Sequence, residues 1–356
     1  MTSKGRVLLA MSGGIDSSVA AIILQKQGYD VVGITLKICD YNSEDTKTNN
    51  FDYIKDARLF ADKLKFPHYT LDIRKKFEEL IINNFVDEYL AGRTPNPCIL
   101  CNAYIKWQAL IEKSKQLNCE FIATGHYAKL RYENNRYIIS KGVDKNKDQS
   151  YMLWALSQEK LKNTLLPLGD YHKEEIKKIA DKNGFDDLSK KRESYDICFI
   201  PDNDYRNFLN KKIPGLEKKF ADGNFISVDG KILGKHKGYP YYTIGQRKGL
   251  NIAVGRPLYV KKIDPKTNTI TLADKKDISK KQIYVKNFNS VKYSSIPDNI
   301  NVITKVRYRN KGTLSILNVE KDIIKVNFKK DVYAIASGQS AVFYEDDDIV
   351  GGGIIV

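Results

Sequence analysis

The sequence predicts an α/β chain: a parallel sheet with helices on both faces, followed by a small central mainly-β unit and a C-terminal antiparallel β-barrel. Three observations carry this. The first third of the 356 residues alternates short apolar runs with amphipathic helical stretches, the pattern of a parallel sheet covered on both sides. After about residue 205, glycines recur at Gly223, Gly230, Gly234, Gly238, Gly245, Gly249 and Gly255 between short strand-like runs. From residue 284 to 356, alternating stretches such as 301–307 and 323–328 carry the period of two expected of a small barrel. The length exceeds what one core usually sustains, and the changes of texture divide the chain at 1–205, 206–280 and 281–356.

In chain order, the apolar run 7–11 predicts the first strand, 16–27 a helix stopped by Gly28, and 30–37 the second strand. Residues 51–64 and 75–90 read as helices with a short strand at 68–73 between them, and 103–117 as another helix. Residues 120–123 then form a buried strand that delivers Thr124, Gly125 and His126 to its carboxyl end, where open α/β sheets bind ligands. An aromatic and apolar helix is expected at 151–156.

Composition narrows the function. Hydrophobic residues at 42% and charged residues at 29% describe an ordinary globular chain, and no apolar run approaches the roughly 18 residues needed to span a bilayer. This argues against a membrane role. The run 7–11 is too brief for a signal-peptide core, so a cytoplasmic protein is expected. Five cysteines, an odd number, argue against a disulfide framework and for thiols kept for reactivity or metal binding. Lys plus Arg number 59 against 43 acidic residues, a formal net charge of +16 that suits a polyanionic partner through counterion release. From charge alone, a merely lysine-rich surface is an equal reading.

The sharpest local signal is Ser12-Gly13-Gly14-Ile15-Asp16-Ser17-Ser18, directly after the first strand and opening a helix. Glycines let backbone approach an anion, and helix-start amides point at it with the dipole behind them. The loop lacks the lysine of a Walker motif. Its spacing resembles the phosphate loop of the ATP pyrophosphatase (PP-loop) superfamily, which splits ATP into AMP and pyrophosphate while adenylating a substrate oxygen. The resemblance implies that Ala10, Met11, Ser12, Gly13, Gly14, Ile15, Asp16 and Ser17 surround the nucleotide, with Asp16 helping to place magnesium.

Two cysteine segments narrow the chemistry: Thr94-Pro95-Asn96-Pro97-Cys98-Ile99-Leu100-Cys101-Asn102 and Asp196-Ile197-Cys198-Phe199-Ile200. Two prolines fix an extended approach, and a thiol at the following helix start would feel a dipole that favours its thiolate. Together with the phosphate loop, Ala123-Thr124-Gly125-His126-Tyr127, Lys147-Asp148-Gln149-Ser150-Tyr151 and Tyr242-Thr243-Ile244-Gly245-Gln246-Arg247, taken in this order, the chain resembles the tRNA-specific 2-thiouridylases over nearly its full length. That resemblance implies an adenine nucleotide α-hydrolase-like catalytic domain, a central linker domain and a tRNA-contacting barrel. It implies a sulfurtransferase that adenylates the 2-oxygen of the wobble uridine of tRNA and replaces it with sulfur.

In that family pattern Cys198 receives sulfur as a persulfide from a donor or relay protein, and Cys101 is its catalytic mate. Some members carry a carboxylate where this chain has Cys98, so that role does not transfer to a thiol. Cys98, Cys101 and Cys198 could instead hold an iron–sulfur cluster with one open iron site, and both routes stay open. Cys39 and Cys119 read as small buried residues. The resemblance further implies that Leu36 and Gly125 contact the nucleotide. It assigns tRNA contacts to Asn96, Pro97, Cys98, His126, Lys147, Asp148, Gln149 and Gln339, with Asn96, Pro97 and Cys98 flanking a flipped-out base, and Arg307-Tyr308-Arg309 on a C-terminal strand offers cations for phosphate and a ring for base stacking, as expected of an RNA-contacting face. A monomer is expected. The rival readings are another PP-loop enzyme that adenylates a carboxylate, which would not need paired thiols, and an RNA-binding protein with a vestigial ATP site.

Overall fold

A computed structural model describes residues 3–40, 53–187, 197–200 and 202–356 of the chain. The first sheet contains β1 (Arg6–Ala10), β2 (Asp30–Lys37), β3 (His68–Asp72) and β4 (Phe121–Thr124). After β4 the chain forms a hairpin of β5 (Ala128–Glu133) and β6 (Arg136–Lys141), then returns as the short β7 (Thr164–Leu165). The sheet is parallel throughout, in the order β3-β2-β1-β4-β7. The central strand β1 shows why both faces are covered: Val7 and Leu9 pack in the core beneath helix Ile15–Lys26, while Leu8 joins the opposite core with Trp107 and Leu110. Adjacent residues of a strand face opposite ways, so a continuous apolar run is buried on two sides.

The central unit is a four-stranded sheet of β8 (Gly223–Ile226), β9 (Ile232–His236), β10 (Tyr259–Asp264) and β11 (Thr269–Ala273), ordered β10-β11-β8-β9. Its inner residues Phe225, Val260 and Ile270 share one core with Phe77, Phe85 and Phe199. The third unit has six strands: β12 (Ser279–Ser290), β13 (Ile300–Lys305), β14 (Thr313–Glu320), β15 (Ile323–Tyr333), β16 (Ser340–Glu345) and β17 (Asp348–Ile355). Their order is β12-β15-β14-β13-β16-β17, and pairing of β12 with β17 closes the barrel. The hairpin β5–β6 joins the barrel wall at Ser140 and Asp348, where Arg131 forks onto the Asp348 carboxylate at 2.7 and 2.8 Å.

Several expected elements differ in detail. Phe51, Asp52 and Asp196 lie outside the described residues; the helix runs Tyr53–Lys63. The helix expected at 75–90 begins at Arg74 and carries a π segment, Glu78–Ile82, within it. The stretch 151–156 is a single 3₁₀ turn, Ser150–Leu153, because Tyr151, Leu153, Trp154 and Leu156 are all buried and leave no solvent face for a helical stripe. The strand expected to carry Arg307 ends at Lys305, so Arg307 and Tyr308 lie on the loop beyond it.

Candidate active site

The carboxyl ends of β1, β2 and β4 lie on one edge of the parallel sheet, and the loop 12–18 follows β1 there as Gly125 and His126 follow β4. At the end of β1, Gly13 adopts φ +71°, and a Cβ on it would fall 2.5 Å from the Tyr53 carbonyl oxygen. Only glycine fits that turn without strain. The Ser12 amide donates to Ser17 Oγ at 3.1 Å, and Ser17 Oγ donates to the Gly14 carbonyl at 3.1 Å, so the loop is braced by its own side chains. Ala10 is half-buried while Met11 and Ile15 are buried, leaving backbone rather than their side chains to face a nucleotide. Gly125 follows β4, and a Cβ there would meet Ser17 N at 3.1 Å. The close approach at Gly125 is therefore to the phosphate loop itself. Leu36, near the end of β2, is half-buried among the core residues.

Asp16 stands in the first turn of its helix, and its Oδ1 accepts from Tyr127 Oη at 2.6 Å and from Lys173 Nζ at 2.7 Å. Sequence reasoning did not find Lys173. It lies 157 positions from Asp16, in a lysine-rich helix whose pattern marks no one lysine as special.

The cysteine segment is one continuous helical stretch in three parts: Pro97–Leu100, a π segment Cys101–Lys106, and Trp107–Gln116. Pro97 begins it, as expected for a residue whose missing amide would be unpaired there. The π segment replaces the regular start expected near residue 103, and such segments are frequent at functional sites. It brings the Lys106 amide to the Cys101 sulfur. Cys198 is exposed, but the next residues, Phe199 and Ile200, are buried. The Phe199 ring contacts those of Phe77, Phe85 and Phe208, which pins the turn that carries the thiol.

The three thiols share one neighbourhood. Surrounding protein pushes the Cys198 thiol well above its ordinary value, the Cys98 and Cys101 thiols add to the push, and Lys106 opposes it. Burial likewise raises Cys98 and Cys101, again with Lys106 opposing. The helix start therefore does not leave an ionised thiol, because burial outweighs it. Cys39 is half-buried rather than buried and lies close enough to Cys198 to act on it electrostatically. Lys106 is a second residue that sequence reasoning missed; five positions from Cys101, it lacks the regular helical spacing that would have suggested a shared face. His126, at the end of β4, is held below its ordinary value by burial and then by Lys106, so its ring is neutral at physiological pH. Its Nδ1 bonds Thr124 Oγ1 at 2.8 Å. No disulfide joins the described cysteines.

Several other candidates make internal contacts. Asp148 is buried and accepts from the amides of Gly142 and Ser150. Gln149 exchanges two bonds with the Tyr127 backbone at 3.0 and 2.8 Å, while Lys147 is half-buried beside them. Arg307 donates to the carbonyls of Ile244 and Ala334, joining the central unit to the barrel. The Gln339 amide donates to the carbonyls of Thr94 and Pro95 at 3.1 and 2.8 Å, and the Thr94 amide donates to Ser337 at 3.0 Å. Asn96 bonds Tyr151, whose ring lies 6.1 Å from that of Tyr308. The barrel thus grips the segment that leads to Cys98.

Magnesium commonly takes one or two protein carboxylates plus phosphate oxygens, and Asp16 in the phosphate loop fits that part. Among the described residues, no group of three or more His, Cys, Asp or Glu side chains converges as a metal-holding set. Nor is any described helix long and apolar enough to cross a membrane.

Comparison with known proteins places this geometry. Residues 5–202 match the family described as tRNA methyl transferase HUP domain, 206–274 its PRC-barrel domain, and 280–355 the aminomethyltransferase beta-barrel domain. The chain is 52% identical to the tRNA-specific 2-thiouridylase MnmA of Amoebophilus asiaticus, over 99% of this chain and 95% of that protein. It is 50% identical to the protein of the same name from Cytophaga hutchinsonii, over 100% of this chain and 98% of that one. The corresponding protein of Salinibacter ruber is 47% identical over 100% of this chain and 95% of its own.

Proposed function

The chain belongs to the tRNA-specific 2-thiouridylase family, and from that premise we propose that it is a tRNA sulfurtransferase that uses ATP to replace the 2-oxygen of the wobble uridine with sulfur. The observation that carries the proposal is the meeting of two chemistries on one sheet edge. A phosphate loop abuts the end of β4 at Gly125, and the adjoining His126 shares Lys106 with Cys98, Cys101 and Cys198. An enzyme that only adenylated a carboxylate would have no use for the second half.

In this reading residues 1–205 carry the chemistry, 206–280 link, and 281–356 contact tRNA. The uracil 2-oxygen attacks the α-phosphorus of ATP, and pyrophosphate leaves from the loop formed by residues 12–18. Magnesium, when bound, would sit against Asp16 and neutralise phosphate charge. The outer sulfur of a Cys198 persulfide then attacks the uracil C2, and the C2–O bond breaks with AMP as leaving group. The Cys101 thiolate attacks the inner sulfur of Cys198, which releases the 2-thiouridine and leaves a Cys101–Cys198 disulfide for an external thiol to reduce. A persulfide-bearing protein supplies the sulfur. Asn96, Pro97 and Cys98 flank the extruded base, while His126, Lys147 and Tyr308 face the RNA around it. Asp148, Gln149, Arg307 and Gln339 support that surface through their contacts. The setting is cytoplasmic and the acting unit a monomer.

The test separates the half-reactions. Cys101→Ser and Cys198→Ser should abolish thiolation of unmodified tRNA while leaving pyrophosphate release and tRNA binding close to native. Loss of tRNA binding in both would remove the catalytic assignment. Thiolation by iron-free protein with a persulfide donor supports the persulfide route, whereas near-stoichiometric iron with activity tracking it would replace that route with a cluster.

A further inference from the structure

Cys39 stands on the same sheet edge as the other thiols but has no part in the chemistry above. It lies two residues beyond the end of β2, and its place is fixed: the carboxylate of the next residue, Asp40, is held by Lys37 at 2.7 Å and by Arg74, which also bonds Asp72 at the end of β3. Half-buried, Cys39 packs against the core that also takes Cys101 and Phe199, the neighbour of Cys198. Cys198 itself is exposed on a tight turn closed by the Ile200 amide on the Ile197 carbonyl at 3.0 Å. The two thiols are close enough that both act on the Tyr53 hydroxyl and Cys39 acts on Cys198. A cleft of about 1320 Å³ opens beside them. Its wall includes Cys39, Phe199 and Ile200 but, among the described residues, neither Cys98 nor Cys101.

We propose that Cys39 is the exit thiol of the reaction: once sulfur transfer has left Cys101 joined to Cys198, Cys39 attacks the Cys198 sulfur and moves the disulfide to the wall of the cleft, where a protein dithiol reduces it. This rests on the persulfide reading above. In the first step the Cys39–Cys198 bond forms as the Cys101–Cys198 bond breaks, and the bonding pair leaves with Cys101 as a thiolate. The proton that Cys39 gives up is matched by the one that Cys101 takes up, so nothing is oxidised or reduced overall. Lys106 favours the Cys101 thiolate, and a sulfur that leaves as a more stable thiolate leaves faster. In the second step one thiol of the dithiol attacks Cys39 and its second thiol resolves the mixed disulfide, which returns Cys39 and Cys198 to thiols and oxidises the dithiol. A disulfide left on Cys101 stays within the site that base and nucleotide use, whereas one that includes Cys39 borders the cleft. The exchange therefore frees Cys101 for the next round without admitting the reductant to the tRNA site.

The experiment takes the full chain, loaded by a small persulfide donor, through one turnover on unmodified tRNA with ATP and magnesium but no reductant. Alkylation of the remaining thiols and peptide mapping should then find both Cys101–Cys198 and Cys39–Cys198 disulfides in the native chain, and only the first in Cys39→Ser. Reduced thioredoxin is added next and the return of the Cys101 and Cys198 thiols is timed. Cys39→Ser should slow that return about tenfold, whereas dithiothreitol, small enough to reach Cys198 unaided, should reduce both chains at similar rates. Cys39→Ala keeps the apolar packing and repeats the measurement if the serine variant fails to fold. Native reduction by thioredoxin in either folded variant, or a second disulfide that joins Cys98 rather than Cys39, would overturn the assignment alone. Absence of any disulfide to Cys198 after the first turnover of the native chain would overturn the persulfide reading with it.

Discussion

The phosphate loop and the thiol centre share one edge of one sheet but are built by opposite means. The loop is consecutive: Ser12, Gly13, Gly14 and Ser17 brace one another, and the groups that would face an anion are mostly backbone amides. The thiol centre is assembled from afar, with Cys98 and Cys101 on one helix, Cys198 on a turn pinned through Phe199, and the approach to Cys98 gripped by the 337–339 turn of the barrel. A site made of backbone depends on local conformation, whereas a site made of side chains depends on the packing of several elements. The two half-reactions should therefore fail separately.

The largest separation is expected at Gly13. Alanine there would meet the Tyr53 carbonyl at 2.5 Å in a left-handed conformation, so the loop must shift. A displacement of about 1 Å in a reacting group commonly costs on the order of 10²-fold. Pyrophosphate release by Gly13→Ala should fall by that order, while alkylation of Cys198 keeps its native rate. Slowed alkylation would show that the two sites are not independent.

Lys106 sharpens the comparison from the other side. Burial raises the Cys101 thiol and Lys106 lowers it, so at neutral pH the thiol is mostly protonated and sulfur transfer should quicken as pH rises towards the thiol's own value. Lys106→Met removes the lowering influence. Single-turnover sulfur transfer should slow at a fixed pH below the inflection and show an alkaline-shifted profile, with pyrophosphate release unchanged. An unshifted profile would remove Lys106 from the thiol chemistry.

A smaller effect is expected at Gln339, whose amide holds the Thr94 and Pro95 carbonyls. Replacing it by alanine removes two hydrogen bonds, each contributing about 1 kcal/mol. Thiolation should slow several-fold through a loosened cysteine segment, and pyrophosphate release should not. Equal slowing of both would mean that the barrel supports the whole edge rather than the thiols alone.

Legibility follows the same division. The parallel sheet, the phosphate loop and the barrel could be read directly because period, glycine placement and strand–turn–helix order are local properties. Motif spacing also brought out Cys98, Cys101 and Cys198. Lys173 and Lys106 were not legible: each matters through a contact made by folding, and a lysine-rich sequence offers many equivalent candidates. The internal bonding of Asp148, Gln149 and Arg307 was hidden for the same reason, since a polar residue in a loop reads as exposed until its partners are known. The π segment Cys101–Lys106 left no signal in hydrophobic period because it changes register within an otherwise helical run.

The hairpin β5–β6 was missed although its signal was present. Asn134 and Asn135, at φ +51° and +58°, form a two-residue turn between the paired Glu133 and Arg136. Asparagine tolerates that left-handed conformation better than other residues with a Cβ, and two such residues between alternating runs mark a hairpin. The hairpin starts beside Tyr127, which bonds Asp16, and reaches the barrel through Arg131 and Asp348, so it is one hydrogen-bonded link between the loop and the barrel. Asn135→Ala should lower stability by about 1 kcal/mol, measured by urea unfolding. The turn is distant in bonding from either reacting group, so both half-reactions should keep their native rates. If pyrophosphate release and thiolation slowed together, the hairpin would be transmitting strain between loop and thiols, and the separation argued from their construction would be broken.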